Sequence, residues 1–268
     1  MRSLSYIITT YNRPHEWLMR AIQSVIAERV PHSELIIVDD CSSTPAFVTP
    51  SVKEAFGDRL QLIRHDQNRG VAQSRNTGLW AARYYNVVFL DDDDVSFPNR
   101  STALLNAAVE QPQSFILGRT RMYANDVDYR VVPEIYDYSA TVLLYLANPP
   151  HINGILWRRA ALIEIGGFDN RVPYFSEHNT MVRLILRGHS VVQIGDVVAQ
   201  FQYLNQGLTN LHTQNNKMQE QLLAFYAAML DDVESSELKT TLQSIRDYIK
   251  TQPQIQFEDY LAHIRPTQ

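Results

Sequence analysis

The stretch that most constrains this chain is Asn86 to Arg100, NVVFLDDDDVSFPNR. Val87 to Leu90 is a β-branched and aromatic run without helical period, so it reads as a strand buried on both faces of a parallel sheet. It stops abruptly at Asp91, Asp92, Asp93 and Asp94. Four carboxylates are therefore delivered to one sheet edge. At an effective dielectric of roughly 20 and spacings near 5 Å, each neighbouring pair repels by about 3 kcal/mol, and a hard divalent cation is the natural compensation. A solvated acidic turn is the alternative reading of the same residues.

The chain before this stretch repeats one pattern. Leu4 to Thr10 is β-rich, and Asn12 and Pro14 stand where they can cap and open a helix that lines up Trp17, Leu18, Ala21, Ile22, Val25 and Ile26. Leu35 to Val38 is a second buried strand, again ending in acids, Asp39 and Asp40. Strand, helix and strand within about forty residues require a parallel, right-handed βαβ unit. Leu60 to Arg64 and Val71 to Arg83 continue the alternation, with Gly70 in a tight turn. Arg75 is the basic group best placed to face an anion, although a helix-surface arginine would look the same. Open α/β sheets bind ligands beyond the carboxyl ends of their strands, so Tyr11, Asp40 and the aspartate run point to one crevice. No GxGxxG follows the first strand and no GxxxxGK[ST] loop occurs, so the phosphates of a bound nucleotide must be met by metal and arginine.

The rest of the chain is less eloquent. Asn99 to Gln111 reads as a helix, Ser114 to Tyr123 as a strand with Arg119 and Arg121, and Ser139 to Ala147 as a short helix. Pro149 and Pro150 then set off His151, Asn153 and Gly154. Glu177 opens a helix, where stabilisation by the helix dipole would by itself explain a carboxylate. Ser190 to Tyr203 gives two β-rich pieces around Gly195 and Asp196. Lys217 to Asp231, Ser235 to Lys250 and Phe257 to Ile264 read as amphipathic helices, a C-terminal appendage. Within it Leu222, Phe225, Tyr226, Met229 and Leu230 are expected to pack on the core or on a second subunit, leaving a homo-oligomer through these helices open.

With 45% apolar and 20% charged residues and a net charge of −5, the chain has no basic footprint for nucleic acid. Its single cysteine, Cys41, excludes an internal disulfide and fits a reducing setting. No signal-peptide pattern precedes the first strand and no apolar run approaches the roughly 20 residues that span a bilayer, so the expectation is a cytoplasmic protein, with at most peripheral contact at the inner face of a membrane.

In this order and spacing, SYIITTYNRP, ELIIVDDCSS, HDQNRGVAQSRNTGLWAA, VVFLDDDDVSFP, GGFD and SEHNTMVRLILRG resemble the family 2 glycosyltransferases of the GT-A fold, from about Leu4 to Gly188. The resemblance implies a Rossmann-like, mostly parallel α/β sheet flanked by helices. Residues 1–212 would form the transferase domain, 1–100 its nucleotide-binding half and 101–212 its acceptor-binding half, with 213–268 the helical appendage. It also implies an inverting transferase that takes a sugar from a nucleotide donor, commonly a UDP-sugar, with Mn²⁺ or Mg²⁺, and passes it to a glycan or lipid-linked saccharide in bacterial-type polysaccharide synthesis.

By position, Tyr11 and Asp40 resemble the family's uracil-contacting pair, with Thr9, Arg13 and Asp39 beside them, and Arg75 takes the place of its nucleotide-proximal arginine. Asp91 and Asp93 match the DxD motif, Asp93 as metal ligand, and Asp92 would meet the ribose or the metal's shell. The base is where the chain departs from pattern. Aligning the family's EDxxLxxRLxxxG frame on Arg183, Leu184 and Gly188 puts Ser176 at the glutamate and Glu177 at the aspartate, so Glu177 becomes the base at an ordinary carboxylate pKa. Aligning on the letter E puts His178 there instead. The family's late histidine or arginine is replaced around Gln202, Tyr203 and Asn205, leaving His151 or His212 as substitute metal ligands. Two other readings compete: a nucleotide-sugar-binding module that has lost its base at Ser176–His178, and a sugar nucleotidyltransferase, against which the glycine-free TTYNRP loop speaks.

Overall fold

β1, Leu4–Thr10, sends Ile7 to one side of the sheet and Tyr6 and Ile8 to the other, so both of its faces are apolar and both are buried. The computed structural model describes residues 3–111, 114–124, 127–132, 150–172, 174–202 and 218–251. β2 (Ser33–Asp39) and β4 (Asn86–Asp91) flank β1 in parallel, and β3 (Leu60–Arg64) lies parallel on the far side of β2. The chain thus leaves β1 in one direction for β2 and β3 and returns on its other side as β4. A crevice opens at the carboxyl ends where this reversal occurs. Its register places Thr9 opposite both Val38 and Asp91.

The two-residue strand β5 (Val95–Ser96), β6 (Ser114–Ala124), β7 (Val127–Val132), β8 (Ile155–Arg158) and β9 (Ser190–Gln202) complete the sheet. The order is β3-β2-β1-β4-β8-β6-β9-β5, with β7 on β6. β8 runs antiparallel to both β4 and β6. Its four residues are too few to show a period, which is why the sequence did not announce it. The two β-rich pieces expected from Ser190 onward are one strand: its register on β6 jumps from Leu117–Gln193 to Arg119–Val197, so Gly195 and Asp196 lie in a bulge.

Helices cover both faces. α1 (His15–Ala27), α2 (Pro50–Phe56) and α4 (Arg100–Glu110) pack on the side of Ile8. α3 (Val71–Ala81), α5 (Arg159–Glu164), α6 (Ser176–Leu186), α7 (Met218–Asp232) and α8 (Ser236–Thr251) pack on the side of Ile7. Gly78 brings α3 close: a Cβ there would collide with Ile7 Cγ2, so the helix lies directly on β1 and carries Arg75, one turn earlier, to the sheet edge. Leu222, Phe225, Tyr226 and Met229 are fully buried in the same core as Phe89 and Trp157, so the apolar faces of α7 and α8 pack on the core.

Asn12 does not cap α1. Its φ is +51°, its side-chain oxygen accepts from the Ser43 N–H at 2.8 Å, and Pro14 occupies the cap position. The expected helices Ser139–Ala147 and Phe257–Ile264, and Tyr203, Asn205 and His212, lie outside the described residues. No described helix is long and apolar enough to cross a membrane.

Candidate active site

The aspartate run forms a turn between β4 and β5, and three arginines offset its charge. Arg75 Nη2 donates to Asp91 Oδ1 at 3.0 Å. Arg13 lies 3.1 Å from Asp93 and 3.7 Å from Asp92, and Arg20 donates to the Asp93 carbonyl at 2.6 Å. Asp94 turns the other way, inward, to accept from Asn153 Nδ2 at 2.7 Å, while Asn153 Oδ1 takes the Asp91 N–H at 3.1 Å. One asparagine therefore clasps both ends of the turn. The Asp91 and Asp94 carboxylates and a ring nitrogen of His151 converge to within 4.8 Å of one another, and the His151 ring is stacked on Phe201 at 4.2 Å.

Burial and like charge set the acidities. Burial opposes ionisation of Asp91, but the Arg75 guanidinium beside it holds its carboxyl below the usual range. Burial, with Asp93 and Asp91 adjacent, pushes Asp92 up to about 7 against a hydrogen bond from Thr10. Burial and the Asp91 charge likewise raise Asp93 against Arg13. Burial lowers His151 to about 4, which keeps its imidazole neutral.

Arg75 is the hub of the site. Besides Asp91 it donates through Nη1 to Ser176 Oγ at 2.8 Å and lies 3.7 Å from Glu177 Oε2. The first turn of α6 is thereby brought to the aspartate turn across 101 residues of sequence. Arg183, from the end of α6, donates at 2.7 Å to the carbonyl of Gly167 and also to that of Ile165, fixing the helix to the Gly166–Gly167 loop. Asn76, next to Arg75, closes that loop from the other side by a reciprocal pair with the backbone of Phe168, both bonds 2.8 Å. Glu177 is not the ordinary carboxylate expected from sequence: burial raises its pKa, and the charge of Arg75 opposes that rise. His178 points elsewhere. It is buried edge-on to Phe175, both ring nitrogens lack a partner among the described residues, and burial alone lowers it to about 3.

Asp39 ends β2 and Asp40 follows it, and the two face opposite ways. Asp39 accepts from Arg64 at 2.5 Å and from the N–H groups of Ser42 and Ala46, bonds that outweigh burial and hold its carboxyl low. Asp40 accepts from the N–H groups of Arg69 and Gly70, each at 2.8 Å, and from His65 at 2.7 Å, which orders the loop entering α3. Thr9 lies on the crevice floor, and the half-exposed Tyr11 ring stands at its rim. Beside Arg13 a cleft of about 270 Å³ opens between α1 and the loop after β2, lined by Thr10, His15, Ser42 and Phe47 among others. Thr9, Arg75, Asp91 and Glu177 thus share one crevice, Arg13, Asp92 and Asp93 form its flank, and Asp39 and His178 serve the scaffold. The inward turn of Asp94, the clasp of Asn153 on it and the bond of Ser176 to Arg75 were not expected from the sequence. The proline-flanked His151–Gly154 segment was the signal for Asn153, and nothing in the sequence pairs Ser176 with Arg75.

The model of the family named glycosyl transferase family 2 matches residues 5–182, which spans every element of this crevice. The chain belongs to that family. An uncharacterized glycosyltransferase of Haemophilus influenzae is 27% identical over 188 residues, 68% of this chain and 62% of that protein. The UDP-Glc:alpha-D-GlcNAc-diphosphoundecaprenol beta-1,3-glucosyltransferase WfgD of Escherichia coli is 28% identical over 138 residues, 51% of this chain and 53% of WfgD. The match therefore spans less than two thirds of either relative. Among solved structures, S. aureus TarS 1-349 with UDP superposes with a TM-score of 0.65 at 17% identity, covering 91% of this chain and 70% of that one. The Pyrobaculum calidifontis mannosyltransferase PcManGT, with GDP-Man and Mn²⁺, gives 0.62 at 17%, covering 93% and 70%. This family 2 glycosyltransferase accordingly has the GT-A fold: a curled, mostly parallel mixed sheet between helices.

Proposed function

We propose that this glycosyltransferase moves a sugar from a UDP-sugar, with inversion, to a hydroxyl of a lipid-linked or polymeric glycan. The observation that carries the reading is the bridge through Arg75, which holds the end of β4 and a part-buried carboxylate, Glu177, on the two walls of one crevice. The UDP complex of TarS and the UDP-Glc and diphosphoundecaprenol substrates in WfgD's name support this choice of donor and acceptor.

In this reading Thr9, Tyr11 and the loop ordered by Asp40 receive the nucleoside, and Arg13 and Arg75 face its diphosphate. The donor set of the aspartate turn fits a divalent cation, which when bound would neutralise the departing diphosphate. Glu177 Oε accepts the acceptor's hydroxyl proton as that oxygen attacks the anomeric carbon and the bond to the diphosphate breaks. Burial raises the pKa of Glu177 and so makes it a stronger base than a solvated glutamate, and the charge of Arg75 opposes that rise.

The test is Glu177→Gln. UDP affinity by calorimetry should stay within about twofold of wild type while transfer from UDP-glucose to a diphosphate-linked GlcNAc lipid falls by about 10²–10⁴, the usual contribution of a general base. Transfer at the wild-type rate would remove Glu177 from the role. Slow UDP-sugar hydrolysis by the wild type, with no transfer to any acceptor, would favour a binding module.

A further inference from the structure

We infer that Ser176 is the positioning residue of the base: its hydroxyl links the Arg75 guanidinium to Glu177 Oε2 and leaves Oε1 to take the acceptor's proton. The inference rests on the reading of Glu177 as base and adds the group that aims it.

What each group can donate or accept fixes the direction of the bonds. A guanidinium has no acceptor, so the Ser176 oxygen accepts from Arg75 Nη1 at 2.8 Å and its one proton is left for another partner. That partner is Glu177 Oε2, at 3.1 Å. Thr180 does not compete, because its hydroxyl donates to the Ser176 carbonyl at 2.7 Å. Ser176 is fully buried, so bulk water does not compete either. Arg75 Nη1 itself lies 3.7 Å from Oε2, beyond a hydrogen bond, and reaches the carboxylate through the serine. Charge at both ends polarises the chain from guanidinium to hydroxyl to carboxylate in one direction, which strengthens both bonds.

Among the described residues, both side-chain contacts to Glu177 fall on Oε2. Ser176 and Glu177 open α6, and Arg183 anchors that helix to the Gly167 carbonyl, so the pair stands on a fixed element. The acceptor's proton then passes to Oε1 while the hydroxyl oxygen uses the freed electron pair to bond the anomeric carbon, and the diphosphate departs with the pair of the broken bond. Position and strength pull apart here. Burial and the charge of Asp91 raise Glu177, whereas Arg75 and the Ser176 bond lower it. Without the hydroxyl, Glu177 becomes a stronger base that is held less well.

The experiment is Ser176→Ala in the whole protein, alone and combined with Glu177→Gln. Carboxyl-¹³C glutamate NMR, with Glu177 identified by its absence in Glu177→Gln, should show its titration midpoint moving up in Ser176→Ala. Transfer from UDP-glucose to a diphosphate-linked GlcNAc lipid should fall at least about tenfold in kcat, the scale of a hydrogen bond to a charged group. UDP affinity by calorimetry should stay within about threefold, because Asp91 still holds Arg75 at 3.0 Å. In the Glu177→Gln background, Ser176→Ala should change kcat by no more than about twofold, since residues that act as a unit are not additive. A midpoint that does not move, an undiminished kcat, or an equal loss in both backgrounds would overturn the role of Ser176 while Glu177 stands as base. Wild-type transfer by Glu177→Gln would overturn the base reading, and this inference with it.

Discussion

Gly167→Ala tests how the loop before α6 is locked to the helix that carries Arg75. Gly167 has φ +77°, and an alanine in that region costs about 1–2 kcal/mol. Its Cβ would also collide with Asn76 Oδ1 and lie 3.0 Å from Asn76 Cγ. Asn76 must then move and give up both bonds to the Phe168 backbone, each worth about 1 kcal/mol, in a place where Phe168 is 2% exposed and water cannot replace them. The expected loss is about 3–4 kcal/mol, which for 268 residues corresponds to a Tm drop of about 6 °C by calorimetry or circular dichroism. Gly188→Ala is the control: φ is +85° but nothing lies within 4 Å of the added Cβ, so only the backbone cost of about 1–2 kcal/mol, or about 3 °C, should appear. In an Asn76→Ala background, Gly167→Ala should cost no more than the control. Equal Tm shifts for Gly167→Ala and Gly188→Ala in the native background would refute the lock.

Three further outcomes follow from burial and charge. His178 titrates near 6.5 when unfolded and near 3 when folded, so the unfolded chain takes up the proton first and stability falls as pH drops from about 6.5 toward 3. At pH 5.5 the loss is about 1.4 kcal/mol, and between pH 7.5 and 5.5 the Tm of wild type should fall about 2–3 °C more than that of His178→Leu; equal falls would refute it. Phe225→Ala empties a fully buried position 5.8 Å from the Phe175 ring and should cost about 3–5 kcal/mol in denaturant unfolding, whereas an unchanged midpoint would mean that α7 adds nothing to the core. Because burial raises Glu177 and Arg75 opposes that rise, the acid limb of the kcat/KM profile should lie above 4.5 and move higher still in Arg75→Gln; a limb that stays put would detach Arg75 from the base.

Much of the fold was written in local pattern. β1, β2, β3 and β4 each lie within a residue or two of where the sequence put them, and for β1, β2 and β4 the reason is that a strand buried on both faces must be written as a continuous apolar run. The carboxyl edge as the place of the site followed from the parallel order alone. β8 was not legible, since four residues carry no period and its antiparallel place between β4 and β6 is a matter of long-range pairing. The bulge in β9 was hidden for a related reason: Gly195 and Asp196 look like a break, and only the partner strand bridges it.

The sequence by itself determined which groups reach the crevice, because four aspartates after a buried strand and an arginine on the helix before that strand have few places to go. Only the tertiary structure decided how they are shared. Asp91 pairs with Arg75, Asp93 with Arg13 and Asp94 with Asn153, although the aspartates stand in one run. Neighbouring side chains leave a turn in different directions, and the partner each one meets comes from a remote element. Charge and register are local properties of a chain, while pairing and burial are set by how the elements pack.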